Sequence, residues 1–159
     1  METKTRILAA DSNKDFCRQL TELIAQEGDM EIVGTASDGM ETLALLSEEK
    51  PDILLLDLVL PKLDGLEVLR RLPETGAKCR TIVLSGFVNS KVISDCTNYG
   101  VDYFMPKPCD VPALLTRIRQ LSGHESYSMP AAGIDCRESS VAARDDAQLE
   151  AVVTDIIHE

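Results

Sequence analysis

Apolar and polar positions divide the first 122 residues of the chain into two alternating kinds of segment. Short apolar runs predict β-strands, and each run precedes a segment whose apolar residues recur at helical spacing. In the first helical segment, for example, Leu20, Leu23 and Ile24 fall on one face. The five predicted strands occupy residues 6–10, 31–36, 53–57, 81–84 and 101–105. This alternation predicts an α/β fold, a doubly wound, five-stranded parallel sheet with five helices.

The third of these strands is the most informative. Ile53 is followed by three leucines, and a continuous aliphatic run is typical of a strand buried on both faces. The run ends at Asp57, and Pro61 then interrupts regular structure. An aspartate at the carboxyl end of a parallel strand lies where open α/β sheets bind their ligands. Asp57 is therefore the first candidate for chemistry.

Acidic residues mark several predicted helix starts. Asp38 precedes Glu41 by three residues and Asp64 precedes Glu67 by the same interval, which is the spacing of a capping box. Asp110 is predicted to cap the last helix, which follows a break in the chain at Pro106 to Pro108.

The composition changes beyond Ser122. Residues 4–122 are predicted to form one domain, whereas residues 123–146 are rich in Ser, Ala, Gly and charged residues, which is typical of a linker. Residues 147–159 again place apolar side chains at helical spacing. Such a short helix is not stable alone, so this segment is expected to be the start of a second, truncated domain.

Composition also narrows the class of function. The net charge of −11 argues against nucleic-acid binding by this chain alone, because phosphate contacts need clustered Lys and Arg. The five cysteines form no C-x-x-C pair, which is typical of reduced thiols and not of a disulfide framework or a zinc site. No apolar run reaches membrane-spanning length and no secretory signal is visible, so a cytoplasmic protein without a membrane contact is expected.

Four polar residues follow predicted strands and are expected to meet at one edge of the sheet. They are Asp11, Asp57, Ser85 and Lys107. Two carboxylates there can hold Mg²⁺ through oxygen atoms, and a carboxylate can also be a nucleophile that forms an acyl phosphate. The Lys107 ammonium group and the Ser85 hydroxyl group would stabilise the charge on a transferring phosphoryl group.

Each of these residues also has an ordinary structural explanation. Asp11 is in a position to cap a helix, Ser85 to be a loop hydroxyl, and Lys107 to be a solvated surface charge. Asp57 has the weakest alternative, because an apolar strand rarely ends in an acid that has neither a partner nor a use. Their joint placement at separate strand ends favours the functional interpretation.

These motifs resemble the receiver domains of two-component response regulators over about residues 4–122. The resemblance implies a flavodoxin-like fold with strand order 2-1-3-4-5, and a cis peptide bond between Lys107 and Pro108. The residues that carry the resemblance are Ala10-Asp11 with Asn13, Asp57 with Pro61 and Gly65 behind it, Ser85, and Lys107-Pro108.

The resemblance also implies a role for each site residue. Asp57 would accept a phosphoryl group from a phosphohistidine donor, either a phosphotransferase or a histidine kinase. Mg²⁺, or Mn²⁺, would be bound by Asp11, Asp57 and the backbone carbonyl of Val59. Ser85 would be the switch hydroxyl and Phe104 the switch aromatic residue. The domain would catalyse its own phosphorylation without being a turnover enzyme, and would form a homodimer once phosphorylated.

Within this family, the chain is most similar to the phosphorelay-controlled transcription factors that direct sporulation. The segments that carry this narrower resemblance are residues 29–31, 63–66, 103–104 and 156–159. It implies that residues 147–159 begin a DNA-binding effector domain. DNA binding would then need the part of that domain that lies beyond this chain.

One position departs from the family pattern. Receiver domains usually have two adjacent acids after the first strand, whereas this chain has Asp11 and Ser12. A hydroxyl group is a poorer Mg²⁺ ligand than a carboxylate, so we expect weaker metal binding than usual. This departure leaves open a degenerate receiver, which binds partners without being phosphorylated.

Two other functions fit the residues after the first strand less well. A flavodoxin-like cofactor protein would need a hydroxyl-rich phosphate loop, but residues 10–15 are too acidic for one. A phosphatase with Asp11 as its nucleophile would need a second acid two residues later, where this chain has Asn13.

Overall fold

The structure is a computed structural model that describes residues 3–86, 88–123 and 134–136. Its strands are β1 (Thr5–Ala10), β2 (Met30–Ala36), β3 (Ile53–Leu56), β4 (Arg80–Ser85), β5 (Tyr103–Pro106) and β6 (Ile134–Asp135). Its helices are α1 (Lys14–Ala25), α2 (Gly39–Glu49), α3 (Gly65–Arg71), α4 (Ser90–Asn98) and α5 (Val111–Ser122), with a 3₁₀ helix at Leu72–Thr75. Among these described elements, no helix is both long enough and apolar enough to cross a membrane.

The strands follow the order β2-β1-β3-β4-β5-β6. β1 pairs in parallel with β2 and β3, and β4 pairs in parallel with β5. The predicted α/β, flavodoxin-like fold with strand order 2-1-3-4-5 is therefore confirmed. β6 is an additional strand, antiparallel to β5, and it lies in the segment 123–146 that the composition predicted as a linker.

The chain divides between Thr81 and Ile82 into two compact units. Most of the predicted linker at residues 123–146 lies outside the described residues. The predicted start of an effector domain at residues 147–159 lies outside them entirely. The predicted domain boundaries therefore remain predictions.

Strands β1 and β3 form the centre of the N-terminal unit. Every residue of β3 is buried, as the aliphatic run predicts, and α1 covers the sheet with Cys17, Leu20 and Ile24. The prediction that Leu23 shares this buried face is wrong, because its side chain is 40% exposed. Leu23 lies about 100° around the helix from Ile24, which places it at the edge of the covered face.

Side chains cap four of the helices in the expected way. Asn13, Asp38, Asp64 and Asn89 each accept a hydrogen bond from the backbone amide three residues later. The predicted caps at Asp38 and Asp64 are thus confirmed. Asp110 occupies the N-cap position of α5, but its side chain makes no capping hydrogen bond, which corrects the prediction. A proline in the first turn of α5 removes one of the amides that such a cap would bind.

In the C-terminal unit, α5 packs on β5 through Tyr103. The Tyr103 hydroxyl group donates to Gln120 Oε1 at 3.3 Å, and the Arg117 guanidinium carbon lies 4.3 Å from the centroid of the tyrosine ring. An aromatic face attracts a cation at this distance. These contacts hold the strand that carries Phe104 against the helix that follows it.

Two loops of the N-terminal unit approach each other closely at Gly39, the first residue of α2. A Cβ atom added to Gly39 would lie 1.9 Å from the backbone oxygen of Leu63. The Gly39 amide donates to the Pro61 carbonyl at 3.2 Å. Only glycine allows a backbone approach as close as this.

We predict that Gly39→Ala lowers the free energy of unfolding by about 1–3 kcal/mol, because the added methyl group displaces the loop at Leu63. Gly28→Ala is the matched control: its Cβ atom would meet nothing within 4 Å, so stability should stay constant or rise by up to about 1 kcal/mol. Urea unfolding followed by circular dichroism measures both. Equal unfolding midpoints for the two variants would contradict the prediction.

Candidate functional site

Asp11 and Asp57 follow two neighbouring strands of the N-terminal unit. Ala10 pairs with Leu56 in the β1–β3 register, and the Asp57 amide donates to the Ala10 carbonyl at 2.9 Å. Adjacent strands lie about 4.8 Å apart, so the two aspartates stand side by side. Both are buried, with exposed fractions of 4% for Asp11 and 8% for Asp57. Two acids are thus held together in a largely desolvated position.

Asp11 does not cap the first helix. Asn13 is the N-cap residue of α1, and its Oδ1 atom accepts from the Phe16 amide at 3.1 Å. Asp11 Oδ1 instead accepts from the Asn13 amide at 2.8 Å, which holds the carboxylate at the start of the loop. The capping explanation for Asp11 is therefore wrong. Ser12, the next residue, is exposed.

Asp57 is held by the loop that follows it, residues 57–64. Its Oδ1 atom accepts from the Val59 amide at 3.0 Å, while the Val59 side chain is 66% exposed. A Cβ atom added to Gly65 would lie 2.7 Å from the Asp57 carbonyl oxygen, and the Gly65 amide donates to the Leu58 carbonyl at 2.9 Å. The absence of a side chain at Gly65 therefore lets α3 begin directly against Asp57.

An ion pair joins the same loop to the start of α2. Lys62 Nζ lies 3.4 Å from Asp38 Oδ2, and Lys62 has a left-handed backbone conformation with φ of 67°. The Glu41 amide and the Lys62 ammonium group hold the pKa of Asp38 below its ordinary value, although partial burial opposes them. Asp38 is therefore a carboxylate at neutral pH. Together with the Gly39 contact, this ion pair anchors the loop that carries Val59.

In the C-terminal unit, Ser85 and Lys107 are found where neighbouring strands end. Ser85 pairs with Pro106 in the β4–β5 register, and the Lys107 amide donates to the Ser85 carbonyl at 3.0 Å. Ser85 is fully buried at the end of β4, so it is not an exposed loop hydroxyl, and Lys107 is half-buried. The peptide bond between Lys107 and Pro108 is cis, as the resemblance implies.

Phe104 lies in β5, three residues before Lys107, and is fully buried. It pairs with Val83 of β4 on one side and with Ile134 of β6 on the other. The sequence analysis missed Ile134, because a single large aliphatic residue in a segment rich in Ser, Ala, Gly and charged residues carries no periodic signal. The contact exists only because the chain returns to β5 after α5.

The carboxylate pair fits a divalent cation with oxygen ligands. Mg²⁺ is commonly held by one or two carboxylates, with water and phosphate oxygens in the remaining positions, and Mn²⁺ accepts similar ligands. The described part of the chain contains no group of three or more His, Cys, Asp or Glu residues that would enclose a metal ion. Asp11 and Asp57 are the two residues of this site whose carboxylates could hold such a cation.

An open groove of about 560 Å³ runs beside Asp11. It is lined by Lys14 and Arg18 of α1, and by Thr35 and Ser37 at the end of β2. The sequence analysis did not select these residues. Exposed charges on a helix give no local indication of a groove, because the opposite wall comes from a strand that follows later in the chain.

The chain matches the family model described as the response regulator receiver domain over residues 7–119. The response regulator domain of CheB from Thermotoga maritima is 28% identical, with a TM-score of 0.69, and the match covers 77% of this chain and 99% of that one. The N-terminal domain of an uncharacterized protein from Wolinella succinogenes is 31% identical, with a TM-score of 0.68 and coverage of 74% and 94%. A chain of the CheX–CheY–BeF₃–Mg²⁺ complex from Borrelia burgdorferi is 28% identical, with a TM-score of 0.68 and coverage of 74% and 88%.

The family match begins in β1 and ends in α5. It includes all four strand-end residues, namely Asp11, Asp57, Ser85 and Lys107. The strand order agrees with the fold of the matching structures. The chain therefore belongs to the response regulator receiver domains, which work in two-component systems with a histidine kinase or another phosphodonor.

Proposed function

We propose that this chain is a phosphorylation-dependent switch in which Asp57 accepts a phosphoryl group from a phosphohistidine donor. The observation that supports the proposal best is the buried pairing of Asp57 with Asp11 at adjacent strand ends. A carboxylate is a competent nucleophile for phosphoryl transfer, and a second carboxylate beside it provides for a metal ion. Membership of the receiver family supports the same assignment of roles.

Mg²⁺, or Mn²⁺ in its place, would be held by Asp11, Asp57 and the backbone carbonyl of Val59. When bound, the metal ion supplies positive charge that offsets the charge of the phosphoryl oxygens. The hydrogen bond from the Val59 amide to Asp57 keeps this part of the loop close to the acceptor carboxylate. Ser12 stands where a second acid is usual, so the proposal includes weaker metal binding.

In the proposed transfer, a carboxylate oxygen of Asp57 attacks the phosphorus atom while the N–P bond to the donor imidazole breaks. The electron pair of that bond stays on the imidazole nitrogen, which takes up a proton, and Asp57 becomes an acyl phosphate. The Lys107 ammonium group would pair with one phosphoryl oxygen, and the Ser85 hydroxyl group would donate to another. The domain keeps the phosphoryl group as a signal and is not a turnover enzyme.

The proposed response to phosphorylation involves two residues on neighbouring strands, Ser85 on β4 and Phe104 on β5. Ser85 would move toward the phosphoryl group, and the Phe104 ring, which is already fully buried, would rotate toward Ser85. Such a change shifts the populations of two conformations that already exist. Its result would be a different surface at α4 and β5, which would favour a homodimer.

The partners follow from the same proposal. A phosphotransferase or a histidine kinase would dock beside Asp11, at a groove whose lining carries charges of both signs, including Lys14, Arg18, Glu22 and Glu41. DNA would be bound only through an effector domain that begins at residues 147–159, in keeping with the net charge of −11. A role in sporulation, in the cytoplasm, is the narrower proposal, and it rests on the sequence resemblance alone.

A degenerate receiver is the second candidate function. The observation that favours it is Ser12, an exposed hydroxyl residue next to Asp11. With one carboxylate fewer, metal affinity falls, and a site that seldom holds a metal ion would accept phosphate slowly. Such a domain would still bind its partners through the same surfaces.

The experiment that tests the proposed function is intact mass spectrometry after incubation with Mg²⁺ and acetyl phosphate. We expect one phosphate adduct on the wild type, and none on Asp57→Asn or in the presence of EDTA. Asp15→Asn is the matched control, because Asp15 is an exposed aspartate on α1 and its loss should leave the adduct in place.

Two outcomes would contradict the proposal that Asp57 accepts the phosphoryl group. An adduct that persists in Asp57→Asn would place the phosphoryl group on another residue. If no adduct forms either with acetyl phosphate or with a purified phosphohistidine donor, the chain is a degenerate receiver, which binds partners without being phosphorylated.

We predict that Ser12→Asp tightens Mg²⁺ binding about tenfold, which corresponds to about 1.4 kcal/mol. The reason is that a carboxylate replaces a hydroxyl group next to Asp11, where the metal ion would bind. Ser47→Asp is the matched control, since Ser47 is an exposed serine on α2 and adds the same charge elsewhere. Isothermal titration calorimetry measures both variants, and equal affinities would show that residue 12 does not act on the metal ion.

A further inference from the structure

Residues 134–136, named here the latch, dock on β5. Ile134 pairs with Phe104, and the Cys136 amide donates to the Asp102 carbonyl at 2.8 Å. An added antiparallel strand satisfies backbone groups that an edge strand otherwise leaves unpaired. The latch therefore binds the strand that carries the proposed switch residue, although it lies far beyond that residue in the sequence.

The latch buries its two apolar side chains beside Phe104. The exposed fraction is 4% for Ile134 and 5% for Cys136, and Phe104 is fully buried. Residues directly opposite each other on antiparallel strands project to the same face of the sheet, with Cβ atoms about 4.5–5.5 Å apart. The Ile134 side chain therefore lies next to the Phe104 ring, and a movement of the ring removes part of its packing.

Helix α4 also contacts the latch. Burial raises the pKa of Cys136 overall to about 11, although a hydrogen bond with the Thr97 side chain of α4 lowers this pKa. Cys96 of α4 is fully buried, and burial raises its pKa to about 12.

The strand of the latch is short. It has only two residues, below the usual length of strands in globular proteins. A strand of this length opens locally at a small cost in free energy. A loss of packing at Ile134 is therefore sufficient to change the fraction of molecules in which the latch is docked.

We infer that the latch reports the state of the switch: it is docked while Asp57 is unphosphorylated and released when Asp57 is phosphorylated. The inference rests on the proposed function, because rotation of the buried Phe104 ring toward Ser85 of β4 is the change that would take it away from Ile134 of β6. Release would leave the edge of β5 open to another strand.

The labelling rate of the Cys136 thiol measures undocking of the latch, because undocking exposes this thiol and lets it ionise more readily. The experiment is a short pulse of N-ethylmaleimide on the whole chain, followed by peptide mapping of each cysteine by mass spectrometry. Cys17, which is also buried but lies on α1 in the N-terminal unit, serves as the internal reference. Its labelling reports opening of the fold in general.

We predict that Ile134→Ala raises the labelling rate of Cys136 about tenfold or more, because a buried aliphatic side chain is lost. Cys17 should keep its wild-type rate. Leu23→Ala, which removes an exposed leucine from α1, is the matched control and should change neither rate. The claim that the latch docks separately from the rest of the fold would be wrong in either of two cases. In the first, Cys136 keeps its wild-type labelling rate in Ile134→Ala; in the second, the labelling rate of Cys17 rises equally.

The coupling to the switch is tested by treating the wild type with Mg²⁺ and acetyl phosphate before the pulse. We expect a severalfold faster labelling of Cys136, in proportion to the phosphate adduct measured on the same sample, and no change in Asp57→Asn. If the adduct forms and Cys136 labels at its unphosphorylated rate, the coupling is wrong although the proposed function stands. If no adduct forms, the proposed function fails and the coupling fails with it.

Discussion

The hydrogen-bonded register between β1 and β3 sets Asp11 beside Asp57, since Ala10 pairs with Leu56 and the Asp57 amide donates to the Ala10 carbonyl. The burial of the aliphatic side chains of β3 stabilises this register, at about 1.5–3 kcal/mol for each one. A shift of one residue in the register would turn Asp57 to the other face of the sheet. The position of the two acids therefore depends on apolar packing.

The loop after β3 extends this constraint to the surface of the N-terminal unit. The Gly39 amide bonds to Pro61, the Asp38 carboxylate pairs with Lys62, and Gly65 brings α3 against Asp57. These contacts leave the loop little freedom, so the Val59 amide stays on the Asp57 carboxylate. A site that must bind a metal ion and a phosphoryl group benefits from such anchoring, because fewer conformations are lost on binding.

In the C-terminal unit, the edge of β5 is constrained in a different way. A single added strand of two residues closes it, and the residue opposite Phe104 is Ile134. The strongly held part of this unit, where Tyr103 contacts Gln120 and Arg117, lies on the other face of the same strand. β5 thus has one face that contacts α5 and an edge that is closed by a strand of only two residues. A segment that is to respond to a switch must open at a small cost, since a ligand moves only conformations that differ by little free energy.

Local patterns in the sequence were sufficient for the five parallel strands, their order of appearance with the helices, and the caps at Asp38 and Asp64. These features depend on residues that are near one another in the chain, through side-chain periodicity and three-residue spacing. The sequence was also sufficient to predict that Asp11, Asp57, Ser85 and Lys107 lie at strand ends, because each of them follows a local apolar run.

Contacts between distant residues were decided only by the tertiary structure. Gly39 meets Leu63, and Ile134 pairs with Phe104. Neither contact leaves a periodic pattern, because each depends on which backbone groups and edges the rest of the fold leaves open.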